Sequence, residues 1–152
     1  MREEHFRDIT SFGGMPLYLV VMFVFLIFKN YQILSYLGFG LVAAYIITVF
    51  FRVVYFKKRP EKQKYNNWLQ KIDASSFPSL HAMRGALLAV IMASFFANIF
   101  LTILFVALAT GVAVTRVFLK RHDPIDSGVG LFTGFAIGIL VLFYAPTIIL
   151  PF

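Results

Sequence analysis

The feature that most constrains this chain is a succession of apolar runs, each close to the ~20 residues a helix needs to cross the hydrocarbon core of a bilayer. The first runs roughly from Phe12 to Phe28 and stops at Lys29-Asn30-Tyr31-Gln32. The second runs roughly from Ile33 to Phe56 and carries Arg52 near its end. A third spans about Ser79 to Phe96, and a fourth about Ile99 to Leu119, with Asn98 marking a tight turn between them. The fifth runs roughly from Ile125 to Tyr144, after which Pro146 and Pro151 disturb the tail. The expected fold is all-α: a polytopic transmembrane helix bundle of about five to six spans, forming one membrane-embedded domain over residues 1–152. Composition agrees, because 60% of the residues are hydrophobic and only 14% charged. A soluble chain of this length could not bury so much apolar surface, so lipid is part of its solvent. The polar start, Met1 to Thr10, lacks the marks of a secretory signal. The absence of cysteine excludes disulfides and thiolate metal sites.

Threading determines where the polar residues meet. If helix two exits on one side, helix three enters from that side, helix four returns to it and helix five leaves from it. Arg52 and Arg59-Pro60, then Phe77-Pro78-Ser79-Leu80-His81, then Thr115-Arg116, His122 and Asp126 all fall at those four places. Each has an ordinary explanation taken singly. A basic residue near a helix end snorkels to the interface, a lone histidine is interfacial, and an aspartate at a helix start is a capping or dipole residue. Convergence on one face weakens these separate accounts, since ionisable groups at membrane depth are costly.

Arginines concentrated at one face call for an anion, and the guanidinium fork matches a phosphate. Ser79 reads as an N-cap after Pro78, and Asp123-Pro124 as an N-cap and first helical residue, so two helix N-termini would face the same space. His122 and Asp126 lie one helical turn apart, which lets the carboxylate hold one imidazole nitrogen while the other acts as nucleophile. His81 can then protonate a leaving alkoxide. No carboxylate cluster suited to magnesium or zinc occurs, which points to chemistry with no metal and no cofactor.

These residues resemble the type-2 phosphatidic acid phosphatase superfamily, whose three-part signature is Lys-x6-Arg-Pro, Pro-Ser-Gly-His and Ser-Arg-x5-His-x3-Asp. The chain reads Arg52-x6-Arg59-Pro60, Pro78-Ser79-Leu80-His81 and Thr115-Arg116-x5-His122-x3-Asp126. The signature region is about 52–130, and the resemblance runs from Arg52 towards the C-terminus. It implies that His122 is the nucleophile forming a phosphohistidine, that Asp126 orients it and that His81 is the general acid. It implies that Arg52, Arg59, Ser79, Arg116 and the Leu80 amide bind phosphate. Arg52 replaces a lysine, Leu80 a glycine and Thr115 a serine. None of these removes a chemical function, although the Leu80 side chain narrows the space near the phosphate. Membrane members of the family commonly have six spans, so the N-terminal segment or a partner subunit would stand for the missing one, and association with further copies stays open.

The implied activity is hydrolysis of a lipid phosphate or diphosphate, with polyprenyl phosphate or diphosphate, phosphatidic acid and phosphatidylglycerophosphate as candidates. Partners are then the lipid substrate and membrane lipids, and no nucleic acid, since no separate basic domain exists. A lipid-linked phosphotransferase using the same phosphohistidine is the alternative. A lipid or anion transporter is a further one, against which stands the lack of two related halves. The location is a cell membrane, with two expectations for the active-site face. Family members commonly work outside the cytoplasm, whereas the chain's bias of Lys and Arg to the active-site face (Arg2, Arg7, Lys57, Lys58, Lys62, Lys64, Lys71, Lys120 and Arg121, against Lys29) favours the cytoplasm. Gly130, Gly134 and Gly138 recur every four residues on the last helix and predict close helix packing. Arg84, inside the third apolar run, receives no role.

Overall fold

A computed structural model describes residues 8–61 and 65–145. Pro146, Pro151, Arg2, Arg7, Lys62 and Lys64 lie outside the described residues. Six named helices follow one another: α1 (Met15–Ile27), α2 (Tyr31–Val54), α3 (Trp68–Ala74), α4 (Leu80–Phe96), α5 (Ile99–Phe118) and α6 (Pro124–Tyr144). A helical turn at residues 8–11 precedes α1. The described residues contain no strand, only an isolated bridge between Lys58 and Ser75. The five predicted apolar runs are α1, α2, α4, α5 and α6. The short helix α3, inside the polar stretch, was not expected.

Among the described residues three helices, α2, α5 and α6, are long and apolar enough to cross a membrane. With 17 residues, α4 is shorter. It is the most enclosed helix, buried from Ala82 to Ala89 and again at Ile91 and Met92. With 13 residues, α1 is about 20 Å long, short of a ~30 Å hydrocarbon core. The segment before α1 packs across the bundle instead: Thr10 shares a hydroxyl–hydroxyl hydrogen bond of 2.7 Å with Thr115 on α5. At the other end of α1, Lys29 has a positive φ of 54° and closes the turn into α2.

The core is the surface of α4. Met83, Leu87, Leu88 and Ile91 pack with Tyr18, Leu37, Ala44, Ile137 and Val141 from α1, α2 and α6. The Tyr18 hydroxyl donates to the Leu37 carbonyl at 2.9 Å, so its polar tip is satisfied inside the bundle. The glycine stripe of α6 does pack closely. A Cβ at Gly130 would strike the Ser79 carbonyl, one at Gly134 the Met83 carbonyl, and one at Gly138 the Val90 side chain at 2.7 Å. With little difference in polarity between side chain and lipid to drive association, small residues that admit close backbone approach hold α6 on α4. The outward faces carry exposed apolar residues such as Phe23, Phe100, Phe132 and Phe143. On a soluble protein such a surface would aggregate; here it is the face offered to lipid.

Candidate active site

The C-terminal ends of α2 and α5 and the N-terminal ends of α4 and α6 share one end of the bundle, as threading predicts. A pocket of about 310 Å³ opens there. Six of the eight predicted site residues line it: Arg52, Arg59, Leu80, His81, Arg116 and His122. Tyr45, Thr48, Asp73 and Arg84 join them. The other two, Ser79 and Asp126, are fully buried behind the pocket, tied by a bond from the Ser79 amide to the Asp126 carbonyl at 3.1 Å.

The loop carrying His122 follows from how α5 ends. Lys120 adopts a positive φ of 53°, and the Arg116 carbonyl accepts from the amides of both Arg121 and His122, at 3.1 and 3.2 Å. That reversal turns the chain back over the end of α5 and buries His122 to 2% exposure. Its Nδ1 lies 2.7 Å from the Ser76 carbonyl. A carbonyl only accepts, so Nδ1 carries the proton and Nε2 keeps its lone pair. Burial, then the positive charge of Arg116, pushes the His122 pKa down to about 3, outweighing the Ser76 bond. The ring is therefore neutral across the physiological range.

One expectation is corrected here. Asp126 does not hold His122 directly, because the carbonyl of Ser76 occupies that nitrogen. The Asp126 carboxylate takes three other donors: the Ser76 hydroxyl, the Lys57 ammonium at 2.6 Å and the Asp123 amide at 3.1 Å. The physical reason is that Asp126 sits in the first turn of α6, where it closes a capping box back to Asp123. Helical spacing measures His122 to Asp126 correctly only if both are helical, and His122 precedes the N-cap Asp123. The carboxylate reaches the imidazole through Ser76, whose hydroxyl binds Asp126 while its carbonyl faces His122.

Lys57 and Ser76 are the residues that sequence reasoning missed. Lys57 Nζ bridges Asp126 and Asp123, at 2.6 and 3.0 Å. Burial works against its charge, but the hydrogen bonds it donates to Asp126 and Asp123 outweigh that and hold its pKa above the ordinary lysine value. A lysine just past the end of α2 was visible in the sequence, but only as part of the charge bias. Ser76 carried no signal. The Ser76 amide also binds the Lys57 carbonyl at 2.7 Å, so the two loops are stitched together.

Two of the arginines are tied to the segment around Asp73. Arg52 lies 3.5 Å from the exposed carboxylate of Asp73 and donates weakly to the carbonyls of Ile72 and Pro78, both at 3.5 Å. Arg59 donates to the Asp73 carbonyl at 2.6 Å, and burial lowers its pKa from the usual arginine value. Buried nitrogens of Arg52 and Arg116, both Nε, and the buried Ser79 hydroxyl have no hydrogen-bond partner. Ser79 is the N-cap of α4, as expected, yet its side chain makes no capping bond. Buried polar atoms are rarely left so; Arg52 and Arg116 line the cavity, and Ser79 adjoins Leu80, which lines it too. Thr115, the hydroxyl of the third signature element, bonds to the Val112 carbonyl at 2.8 Å and to Thr10, away from the pocket.

The site can thus offer an anion a ring of guanidiniums, a helix N-terminus and an imidazole with a free nitrogen. The family model described as PAP2 superfamily matches residues 33–149. Among solved structures, the crystal structure of Aquifex aeolicus LpxE is similar in fold, with a TM-score of 0.78 over 93% of this chain and 86% of that one, at 18% identity. No curated protein matches the chain in sequence.

Proposed function

Because the chain belongs to the PAP2 superfamily, we propose that it is an integral membrane lipid phosphatase that hydrolyses a phosphorylated lipid through a phosphohistidine intermediate. The observation that carries this reading is the His122 ring, neutral, with its Nδ1 proton on the Ser76 carbonyl and Nε2 free. Nε2 attacks the phosphorus, and the bond between phosphorus and the lipid oxygen breaks. With the phosphate dianion bound beside it, His81 takes up a proton and gives it to that oxygen, and the lipid alcohol or phosphate leaves. Water then attacks the phosphohistidine, His81 takes up the released proton, and phosphate departs.

Arg52, Arg59, Arg116, the Ser79 hydroxyl and the Leu80 amide hold the phosphoryl oxygens, which supplies most of what phosphoryl transfer needs. Asp126 acts as a positioning residue: with Lys57 and Asp123 it fixes Ser76, and Ser76 fixes the imidazole. The guanidiniums do the charge neutralisation, so we propose that no metal takes part. The signature region works as one membrane-embedded unit with the rest of the chain.

Phosphate release by detergent-purified protein, measured with EDTA present, tests the reading. The wild type releases phosphate from a panel of lipid phosphates, His122→Ala releases none, and rapid acid-free quenching traps a base-stable, acid-labile phosphoryl label only in the wild type. Release that persists in His122→Ala overturns the phosphohistidine; loss of release on EDTA, restored by a divalent ion, overturns metal independence.

A further inference from the structure

Of the four arginines lining the pocket, Arg84 is the one that the mechanism above leaves unused. It sits on α4, one turn below His81 on the same face, and is only 4% exposed. A snorkelling arginine would reach for the membrane surface, but this one is held inside. Its Nε donates to the Gly13 carbonyl at 3.0 Å, and its Nη1 lies 3.2 Å from the Tyr45 hydroxyl. Among the described residues no carboxylate forms an ion pair with it. Arg84 and Tyr45 nevertheless line the same cavity as His122.

The cavity has depth along the membrane normal. On α2 its lining is Tyr45, Thr48, Val49 and Arg52, a span of about 10 Å along a helix. Arg52 stands near the helix end and Tyr45 two turns inward. On α4, His81 is in the first turn and Arg84 one turn inward. The upper tier, with His122, Arg52, Arg59 and Arg116, surrounds the transferred phosphate. The lower tier, Arg84 and Tyr45, lies toward the bilayer interior, where a lipid substrate's leaving group must point. The lining carries four guanidiniums and one carboxylate, that of Asp73, whereas a phosphate monoester brings only about −1.5 to −2 at neutral pH. The upper tier alone answers that charge. A fourth guanidinium, buried on the leaving-group side, calls for a second anion there.

Resting on the phosphatase reading, we propose that the substrate is a lipid diphosphate, and that Arg84, backed by the Tyr45 hydroxyl, binds the phosphate that stays with the lipid. In the first step the bond from His122 Nε2 to the terminal phosphorus forms and the bond from that phosphorus to the bridging oxygen breaks. The electron pair remains on the bridging oxygen, now part of a lipid monophosphate. Its charge is met by the proton from His81 and by Arg84. A monophosphate substrate leaves an alkoxide at this depth and gives Arg84 nothing to hold.

The test is the ratio of kcat/KM for farnesyl diphosphate to that for farnesyl phosphate, both in detergent micelles, for the full chain and for Arg84→Gln and Tyr45→Phe. The wild type favours the diphosphate by about tenfold or more, and Arg84→Gln cuts the ratio by roughly ten- to a hundredfold, the range for one hydrogen-bonded charge. Tyr45→Phe, which keeps the guanidinium and its Gly13 bond, cuts it by a few-fold, and decides the matter if Arg84→Gln does not fold. A wild-type ratio of one or below overturns the proposal. So does a ratio untouched by either substitution, which would make Arg84 a tether for the segment around Gly13. Release from the monophosphate alone overturns the diphosphate and spares the phosphatase; release from neither, indistinguishable from His122→Ala, overturns both.

Discussion

The two ends of the bundle are built on opposite principles. At the end away from the pocket, turns close on themselves. The Asn98 side chain accepts from the amides of Phe100 and Leu101, at 3.0 and 3.2 Å, and the Asn30 side chain accepts from the Ile33 amide at 3.1 Å. Ala97 and Lys29 take positive φ values of 48° and 54° to complete those turns. Every one of these bonds joins near neighbours in sequence. At the pocket end local turns are joined by bonds between remote segments: Lys57 to Asp126, His122 to Ser76, Thr10 to Thr115. That end also leaves buried polar atoms of Arg52, Arg116 and Ser79 without partners. An end that only reverses the chain can satisfy itself locally. An end that must receive an anion has to keep donors free, and has to be held in shape from elsewhere.

Substitutions at the two ends therefore fail in different ways. The largest effect is expected at the Lys57–Asp126 pair. Lys57→Met leaves the buried Asp126 carboxylate without its ammonium but with its Ser76 and Asp123 donors, a loss smaller than the ~3–5 kcal/mol of breaking a fully buried pair. Because Lys57 touches Ser76 and Asp126 rather than the phosphate, kcat should fall by on the order of tenfold or more, KM should move little, and Lys57→Arg should recover most of the loss. Lys57→Met and Asp126→Asn combined should be far less than additive. A rise in KM with unchanged kcat would make Lys57 a substrate ligand and break the contrast. The sign of its pH dependence is also fixed. A raised lysine pKa means the pairing is fully present below the unfolded value and is lost as pH rises through the folded one, so the network should weaken only in alkali.

A smaller effect should appear at His122, whose pKa is pushed down to about 3. The unfolded chain binds, near pH 6.5, a proton that the folded site refuses. Stability from this residue is therefore present above that pH and erodes as pH falls towards 3. Histidine-labelled protein observed by NMR, with His122→Gln for assignment, should show no midpoint for this ring between pH 7.5 and 5. A titration centred near 6.5 would mean that the ring is open to water and that the pocket end is not closed around it. The smallest effect belongs to the other end. Asn98→Ala removes a cap worth about 1 kcal/mol, lowering the detergent melting temperature by a few degrees, with kcat/KM unchanged; a loss of activity there would show that the two ends are coupled.

Much of this was legible in the chain. Run length places α2, α5 and α6, the Asn98 turn was readable because an N-cap acts on amides two and three residues on, and the glycine stripe was readable because helical period brings it to one face. Convergence of Arg52, Arg59, His81, Arg116 and His122 follows from threading alone, once antiparallel spans are assumed. What failed was measuring His122 to Asp126 by helical spacing, although the N-cap Asp123 lies between them. A chain reversal before Pro124 separated them, and a reversal is a matter of two or three dihedrals that spacing does not record.

The sequence by itself therefore determined the five apolar helices, their order and which end of the bundle carries the charge, because those depend on apolar run length and on neighbours within a few residues. Only the tertiary structure decided that Ser76 faces the imidazole, that Lys57 answers Asp126, and that Arg84 points into the pocket rather than out to the interface. These contacts join segments 46 and 69 residues apart for His122–Ser76 and Lys57–Asp126, and 71 for Arg84–Gly13. Their partners are chosen by how the packed helices are rotated against each other, a quantity that no local pattern in a uniformly apolar chain encodes.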